Sequence, residues 1–257
     1  MTGAWLNPAG GLRYHARALR YSRTLWDPFR WALGEWLLGF QPPERTLVIV
    51  GPSAGYNLQP FFLERFERVI GLEPDPIARY LFRRRIERAP LDRRPQLSFI
   101  AEDQLLGEPE RFLRLLETLG DCALLFSNII GQMRVLVEAD VESAPRLTRI
   151  REVIRSAVRD RSFASFHDRV SGPIPPAFEP PMHGPSRLSD AEVIDLYDDS
   201  ALSEQTPLLD HFTGGFFPPD LPHSYFVWQL EPGIYHLIEA VSRTLGAGAA
   251  TGAKPEP

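Results

Sequence analysis

The sequence predicts an α/β protein with a doubly wound, mostly parallel seven-stranded sheet, helices on both faces and a C-terminal antiparallel hairpin. Two observations support this prediction. Short apolar runs alternate along the chain with segments of helical periodicity, as they do when crossover helices join parallel strands. The last two strand-like runs, 225–230 and 234–241, are joined by only three residues. Because no crossover helix fits into so short a connection, these two strands must pair antiparallel.

The parallel part of the sheet follows from five short apolar runs. The run at 122–126 is almost wholly apolar, as expected when both faces of a parallel strand are covered. The runs lie at 47–50, 69–72, 97–100, 122–126 and 162–166. The segments between them predict one helix directly after the first strand and further helices at 76–88, 108–119 and 146–159.

Residues 1–44 precede the sheet and are expected to pack on it as a helical segment. Over 12–40 the apolar residues recur at spacings of three, four and seven and form one stripe. The aromatic residues of this segment either pack the helices on the edge of the domain, which we favour, or cover the mouth of a pocket. They are Tyr14, Tyr21, Trp26, Trp31 and Trp36.

The composition indicates one large domain, 45–245, followed by a tail, 246–257, that we expect to be disordered. The net charge of −5 gives no general attraction to nucleic acid or to an anionic membrane. The single cysteine, Cys122, excludes an internal disulfide and a cysteine-based zinc cluster. Because the N-terminal stretch lacks a secretory pattern, a cytoplasmic location is expected.

The stretch from the first strand to the second carries the clearest binding pattern. A turn of small residues, Gly51–Gly55, follows the first strand, and an acid, Glu73, ends the second. Small residues let a ligand approach the backbone, and a carboxylate at this position can accept hydrogen bonds from a ribose diol. The pattern indicates a nucleoside-type cofactor, either a dinucleotide or S-adenosylmethionine. An ordinary turn without a ligand is the alternative.

Further polar residues follow the next two strands. Glu102 and Asp103 come after the third strand, and Ser127 and Asn128 come after the fourth. Because the carboxyl ends of parallel strands meet at one edge of the sheet, we expect these side chains to line the same crevice. A Walker-type phosphate site is excluded because no lysine follows the glycines.

With these motifs in this order, residues 45–242 resemble the class I S-adenosylmethionine-dependent methyltransferases. The resemblance implies the strand order 3-2-1-4-5-7-6. It also implies that the first turn holds the methionine part of the cofactor, the acid of the second strand the ribose, and the acids after the third strand the adenine. The implied cofactor-binding residues are Gly51, Ser53, Ala54, Gly55, Glu73, Glu102, Asp103 and Asn128. Pro52-Ser53-Ala54 stands where the family more often has Gly-x-Gly.

The resemblance implies methyl transfer from S-adenosylmethionine to an acceptor that the sequence does not identify. Asn128 is not followed by the Pro-Pro-aromatic sequence of amino-methylating DNA enzymes. A small molecule or a protein is therefore the expected acceptor rather than a nucleic acid, and no membrane partner is expected. The alternative is a methyltransferase-like binding module without catalysis.

Two residues are candidates for the chemistry of transfer. Asn128 stands where the family places substrate-facing groups. His167, followed by Asp168, lies at the predicted tip of the fifth strand, where it would act as a general base or tie down the following loop by hydrogen bonds. That loop, 172–185, is rich in proline and predicts a lid over the crevice.

No metal site is expected from the sequence. His167, Asp168, Asp210 and His211 have no spacing typical of a ligand set. His236 alternates with apolar residues in the hairpin and is most simply structural.

Overall fold

The computed structural model describes residues 11–102, 105, 107–137, 143–197 and 207–246. Its helices are α1 (Gly11–Tyr21), α2 (Asp27–Gly39), α3 (Pro76–Arg88), α4 (Glu110–Leu119), α5 (Ile129–Val137), α6 (Ser143–Arg159) and α7 (Asp190–Ile194). Its strands are β1 (Thr46–Val50), β2 (Arg68–Leu72), β3 (Gln96–Ile100), β4 (Ala123–Ser127), β5 (Phe163–Gly172), β6 (Met182–Gly184), β7 (Leu209–Asp210), β8 (His223–Glu231) and β9 (Ile234–Arg243).

The strands form one sheet in the order β3-β2-β1-β4-β5-β9-β8-β6, with β7 paired to β5. The pairs from β3 to β5 are parallel, whereas β9 runs antiparallel to both β5 and β8. The predicted fold class, the strand order of the class I methyltransferases and the C-terminal hairpin are therefore confirmed. The described residues form nine strands instead of the predicted seven. The two additional strands, β6 and β7, have three and two residues, too few to show a periodic pattern in the sequence.

The connection between β1 and β2 differs from the prediction. The sequence predicts an α-helix after the turn, but the chain makes successive tight turns and then a six-residue 3₁₀ helix, Pro60–Arg65. Gly55 N donates to Pro52 O, and Leu58 N donates to Gly55 O, so these bonds close turns of four residues. The usual helix N-terminus behind the first turn is thus missing, and no helix dipole points at the crevice from there.

Strand β5 is longer than predicted and continues past residue 166 to Gly172. It pairs with β9 from Phe163 to Gly172, with a bulge between Asp168 and Val170. A bulge adds one residue to one strand and changes which side chains share a face. His167 and Asp168 consequently lie within a strand, where successive side chains point to opposite faces of the sheet.

The predicted lid, 172–185, is in part a piece of the sheet. Met182 to Gly184 form β6 and pair with β8, and Ala177 N donates to Leu196 O. Ile174, Phe178 and Met182 pack on a small apolar cluster around the buried Tyr225. These contacts attach the segment to the edge of the sheet, and a closing motion of it stays a prediction.

Helices cover both faces of the sheet. On one face, α1 and α2 pack against β8 through Trp26, Phe29 and Leu33, and the Trp26 indole Nε1 donates to Leu230 O at 2.8 Å. On the other face, α4 and α6 bury Phe112 and Ile154. The core therefore has two layers, separated by apolar strands with 0–4% of each β1 side chain from Leu47 to Val50 exposed. None of the helices in the described ranges is long and apolar enough to cross a membrane.

Candidate functional site

Glu73 follows the last residue of β2 and is buried beside the turn after β1. One carboxylate oxygen accepts a hydrogen bond from Ser53 N at 2.8 Å, and the other accepts one from Asp75 N at 3.0 Å. Burial raises the pKa of Glu73, while these two backbone hydrogen bonds oppose the increase. Each carboxylate oxygen has two acceptor positions, so both oxygens keep one position for a further donor.

The turn itself is held in shape from inside the protein. Gly51, Ser53 and Gly55 have φ values of 68°, 48° and 66°. A Cβ on Gly55 would lie 2.6 Å from the ring of Phe82, so only glycine fits there. Arg85 of α3 donates to the carbonyl oxygens of Gly55 and, at 3.3 Å, Ala54. Burial lowers the pKa of Arg85 to about 10. The guanidinium thus replaces the missing helix as the support of this turn.

Asn128, directly after β4, binds Asp168 of β5 through both ends of its amide. Asn128 Nδ2 donates to Asp168 Oδ2 at 3.1 Å, and Asp168 N donates to Asn128 Oδ1 at 2.9 Å. Asn128 has a left-handed backbone, with φ of 57°, which turns the chain from β4 into α5. Its amide is therefore engaged in holding Asp168, a role that differs from the substrate-facing one expected from the sequence.

Two histidines from distant parts of the chain lie next to Asp168. The three side chains of Asp168, His211 and His236 each place one nitrogen or oxygen within 4.8 Å of the others. We call them the Asp168 cluster. Asp168 and His211 are 4% and 7% exposed, and the side chain of His236 is 11% exposed. Burial tends to raise the pKa of Asp168, but the nearby His236 and His211 and the bond from Asn128 outweigh it and bring that pKa to about 2.

The two histidines of the Asp168 cluster have different contacts. His211 Nδ1 lies 2.7 Å from the carbonyl oxygen of Gly131, which can only accept, so Nδ1 carries the proton. The Nε2 lone pair then accepts from Ser171 Oγ at 2.9 Å. His236 Nδ1 lies 3.0 Å from Asp168 Oδ1, yet neither atom has a hydrogen-bond partner among the described residues.

The Asp168 cluster lies on the sheet face that α1 covers. Burial raises the pKa of the Tyr14 hydroxyl of α1, and the negative charges of Tyr56 and Asp168 add to the increase. Next to it, His15 Nε2 lies 3.4 Å from Asp75 Oδ2, two residues beyond Glu73. Helix α1 thus contacts the crevice side of the sheet at two points. Among the aromatic residues of the N-terminal segment, Trp26 is fully buried, and Tyr14 packs against Trp26 and Tyr56 at the same core cluster.

His167 lies on the opposite face of β5 and is fully buried. Its Nδ1 is 3.0 Å from Ser165 Oγ, and its Nε2 is 3.6 Å from Glu239 Oε1. Its ring packs near Phe217, with 5.9 Å between the ring centroids. The structure therefore places His167 in the core, on the face of β5 opposite Asp168. A buried position on this face favours the anchoring role over that of a general base, and the role of a base stays a prediction.

The structure says less about two of the remaining predicted residues, Glu102 and Asp103. Glu102 is exposed just after β3, on the edge that carries Glu73, and Asp103 lies outside the described residues. Sequence reasoning missed His236 because its alternation with apolar neighbours is also what a structural strand residue shows. The one signal in the sequence that could have pointed to His236 is the hairpin, because its second strand has to pair beside the fifth strand, where Asp168 lies.

No family profile and no curated protein matches the chain. Solved structures resemble it distantly. Magnesium protoporphyrin IX methyltransferase from Synechocystis PCC 6803 with bound SAM has 13% identity and a TM-score of 0.40 over 90% of this chain and 85% of that one. N-methyltransferase NodS from Bradyrhizobium japonicum WM9 has 11% identity and a TM-score of 0.40 over 85% of this chain and 98% of that one.

A third likeness is to the complex of the Haloferax volcanii Trm112 methyltransferase activator with a protein assigned as a methyltransferase. It has 18% identity and a TM-score of 0.36 over 60% of this chain, which spans only 58% of that one. At these identities and scores the likenesses carry no argument about activity. Any function has to be argued from the geometry of the site.

Proposed function

We propose that the protein is an S-adenosylmethionine-dependent methyltransferase whose cofactor lies at the carboxyl edge of β1, β2 and β4. The observation that supports this most is Glu73. It is a buried carboxylate at the end of the second strand, fixed by Ser53 N and Asp75 N, with one acceptor position left on each oxygen. Two neighbouring hydroxyls of a ribose fit such an acceptor pair.

The remaining residues of the edge suit the other parts of the cofactor. The Gly51–Gly55 turn presents backbone with little side chain beyond Ser53, so the methionine part can approach it closely. Glu102 and Asp103 follow β3 and are proposed to receive the adenine amino group. When bound, the cofactor supplies an electrophilic methyl group on a sulfonium. The chain's own residues orient it and exclude water, which is enough for much of the rate enhancement in methyl transfer.

The acceptor is proposed to be a small molecule or a protein that meets the crevice beneath α1, near Tyr14, and the location to be cytoplasmic. A binding module without catalysis is the second candidate. It is favoured by the missing helix after β1 and by Arg85, which occupies the carbonyl groups of the turn. Formation of S-adenosylhomocysteine in the presence of candidate acceptors separates the two functions, because a module binds the cofactor without converting it.

The ribose assignment is tested by titration calorimetry with S-adenosylhomocysteine on the wild type, Glu73→Gln and Glu67→Gln. Two charge-assisted hydrogen bonds are worth about 2–3 kcal/mol, so Glu73→Gln should weaken binding by roughly 30- to 100-fold. Glu67 lies at the opposite end of β2 in exposed ion pairs, and its variant should bind like the wild type. Circular dichroism checks that both variants are folded.

The absence of measurable binding to the folded wild type would overturn the proposed function. Equal affinity of the wild type and Glu73→Gln would overturn the ribose assignment alone.

A further inference from the structure

The Asp168 cluster contains a buried negative charge without a permanent positive partner. No arginine or lysine of the described ranges lies within ion-pair distance of Asp168, whose nearest cationic groups are imidazoles. A buried carboxylate needs compensation by a cation or by several donors. Asn128 supplies one side-chain donor to Oδ2, while Oδ1 has none. The site therefore has capacity for a cation at Oδ1.

We propose that Asp168, His211 and His236 bind a divalent transition-metal ion, with the carboxylate and one imidazole nitrogen of each histidine as ligands. Two imidazoles and one carboxylate are a donor set that suits Zn²⁺, Fe²⁺ and Co²⁺ and that leaves positions open for water or substrate. Mg²⁺ and Ca²⁺ prefer sites built from oxygen alone, so they fit this set poorly.

The hydrogen bonds that hold the proposed ligands in place are of the kind found around metal sites. Metal-binding histidines usually donate the second ring N–H to a carbonyl or carboxylate, which fixes the tautomer. His211 donates its Nδ1–H to Gly131 O, so the Nε2 atom is the one that can coordinate a metal. Asn128 holds Oδ2 of Asp168 and so directs Oδ1 away from itself. Gly131 is required for this approach, because a Cβ there would lie 2.6 Å from Asp168 N.

The contact between Asp168 and His236 also points to a shared ligand. Their Oδ1 and Nδ1 atoms are 3.0 Å apart. Two atoms that coordinate one ion tetrahedrally at about 2.0–2.2 Å lie about 3.3–3.6 Å apart, so this pair needs to open by only about 0.5 Å to bind an ion. The three ligand atoms all lie within 4.8 Å of one another, so binding requires the third ligand to move inwards by at most about 1.5 Å. The Ser171 hydroxyl would also have to turn away from His211 Nε2, a rotation about one bond.

An ion at this position would lie on the same sheet edge as Glu73 and would hold an oxygen of the methyl acceptor. This role rests on the proposed function, whereas the binding of the ion does not. The two are separable by experiment, because metal binding is measured without cofactor and cofactor binding is measured in a chelator.

The test is a titration of the metal-stripped full chain with Co²⁺, followed by absorption, and with Zn²⁺, followed by calorimetry. We expect one equivalent of each ion to bind with micromolar or lower Kd and the Co²⁺ complex to show visible d–d bands. Mg²⁺ should not compete. His211→Ala and His236→Ala should each weaken Zn²⁺ binding by more than about 100-fold, and Asn128→Ala by about 10- to 100-fold.

Two histidines outside the cluster provide matched controls. His183 is exposed on β6 and His223 is buried on β8, and His183→Ala and His223→Ala should keep the wild-type Kd. Circular dichroism shows whether each variant is folded, and the wild-type titration stands even if a variant is not. Failure of the wild type to bind Co²⁺ and Zn²⁺ would overturn the proposal and leave Asp168 and His236 as an ion pair. Loss of binding in the controls but not in the cluster variants would overturn it as well.

Discussion

Strands β5 and β9 carry a group of ionisable side chains on each face, and the two groups are compensated in different ways. On one face is the Asp168 cluster. On the other face, Glu239 is 2% exposed and lies 3.1–3.6 Å from Arg187, His223, His167 and Arg169. We call this second group the Glu239 network. Its acid faces two guanidinium groups, which stay charged at any pH at which proteins fold.

The difference lies in the kind of positive group that faces each buried acid. Burial tends to raise the pKa of Glu239, but His167 and Arg187 outweigh it and bring the pKa to about 2. The charge of Glu239 is therefore compensated by permanent positive charges of the protein itself. The Asp168 cluster has imidazoles in place of guanidinium groups, and the metal ion proposed above would supply the permanent positive charge. A buried acid without a permanent counter-charge is a better guide to a site than a histidine near a strand end.

The largest expected effect is on the Glu239 network. Glu239→Ala leaves Arg169 and Arg187 buried without their common acid, and breaking a buried pair in this way costs about 3–5 kcal/mol. Urea unfolding followed by tryptophan fluorescence measures the loss. Glu67→Ala, which removes an exposed acid, should leave the unfolding free energy nearly unchanged, because solvent screens exposed ion pairs. Equal losses in the two variants would show that the network does not hold the hairpin.

The second prediction concerns the loss of stability at acid pH. The pKa of Glu239 is lowered from 4.5 to about 2 in the folded protein. Its contribution is therefore complete above about pH 4.5 and is lost as the pH falls through 2, by roughly 3 kcal/mol in total. The groups that face it are His167, His223, Arg169, Arg187 and Tyr225.

Urea unfolding of the wild type and of Glu239→Gln from pH 5 to pH 2 measures the contribution of the Glu239 carboxylate to the unfolding free energy. The difference in unfolding free energy between the two proteins should shrink as the pH falls. A difference that stays constant over this range would contradict the assignment of the low pKa to Glu239.

The smallest effect should come from the Asp168 cluster. The side chain of His236 is 11% exposed and lies 3.0 Å from Asp168, and glutamine keeps an N–H donor for that carboxylate, so His236→Gln should cost less than about 1 kcal/mol in a chelator. His167 is fully buried against Phe217 and Glu239, so His167→Gln should cost about 2 kcal/mol. Urea unfolding at pH 7.5 compares the two. The reverse order of losses would mean that the roles of the two histidines are exchanged.

Much of the architecture could be predicted from the sequence. The apolar runs locate β1 to β4 to within one residue of their observed ends, and the helix predicted at 76–88 is α3 without change. The three-residue connection at 231–233 fixes the hairpin. The position of Glu73 at the end of the second strand could also be predicted, because it depends on local order alone. The turns after Gly55 could not be foreseen, since Arg85 and Phe82, which hold them, come from α3.

The sequence by itself determines which residues form strands and that acids follow β2 and β3, because hydrophobic periodicity and chain order are local properties. Only the tertiary structure decides which histidine meets which acid. His167 and Asp168 are neighbours in the chain, yet the alternation of β5 sends them to opposite faces, and the bulge after Asp168 puts Ser171 beside His236. His211 and His236 reach Asp168 from about 40 and 70 residues away along the chain. Side chains so far apart are brought together by strand register, and register is set by the packing of the whole sheet.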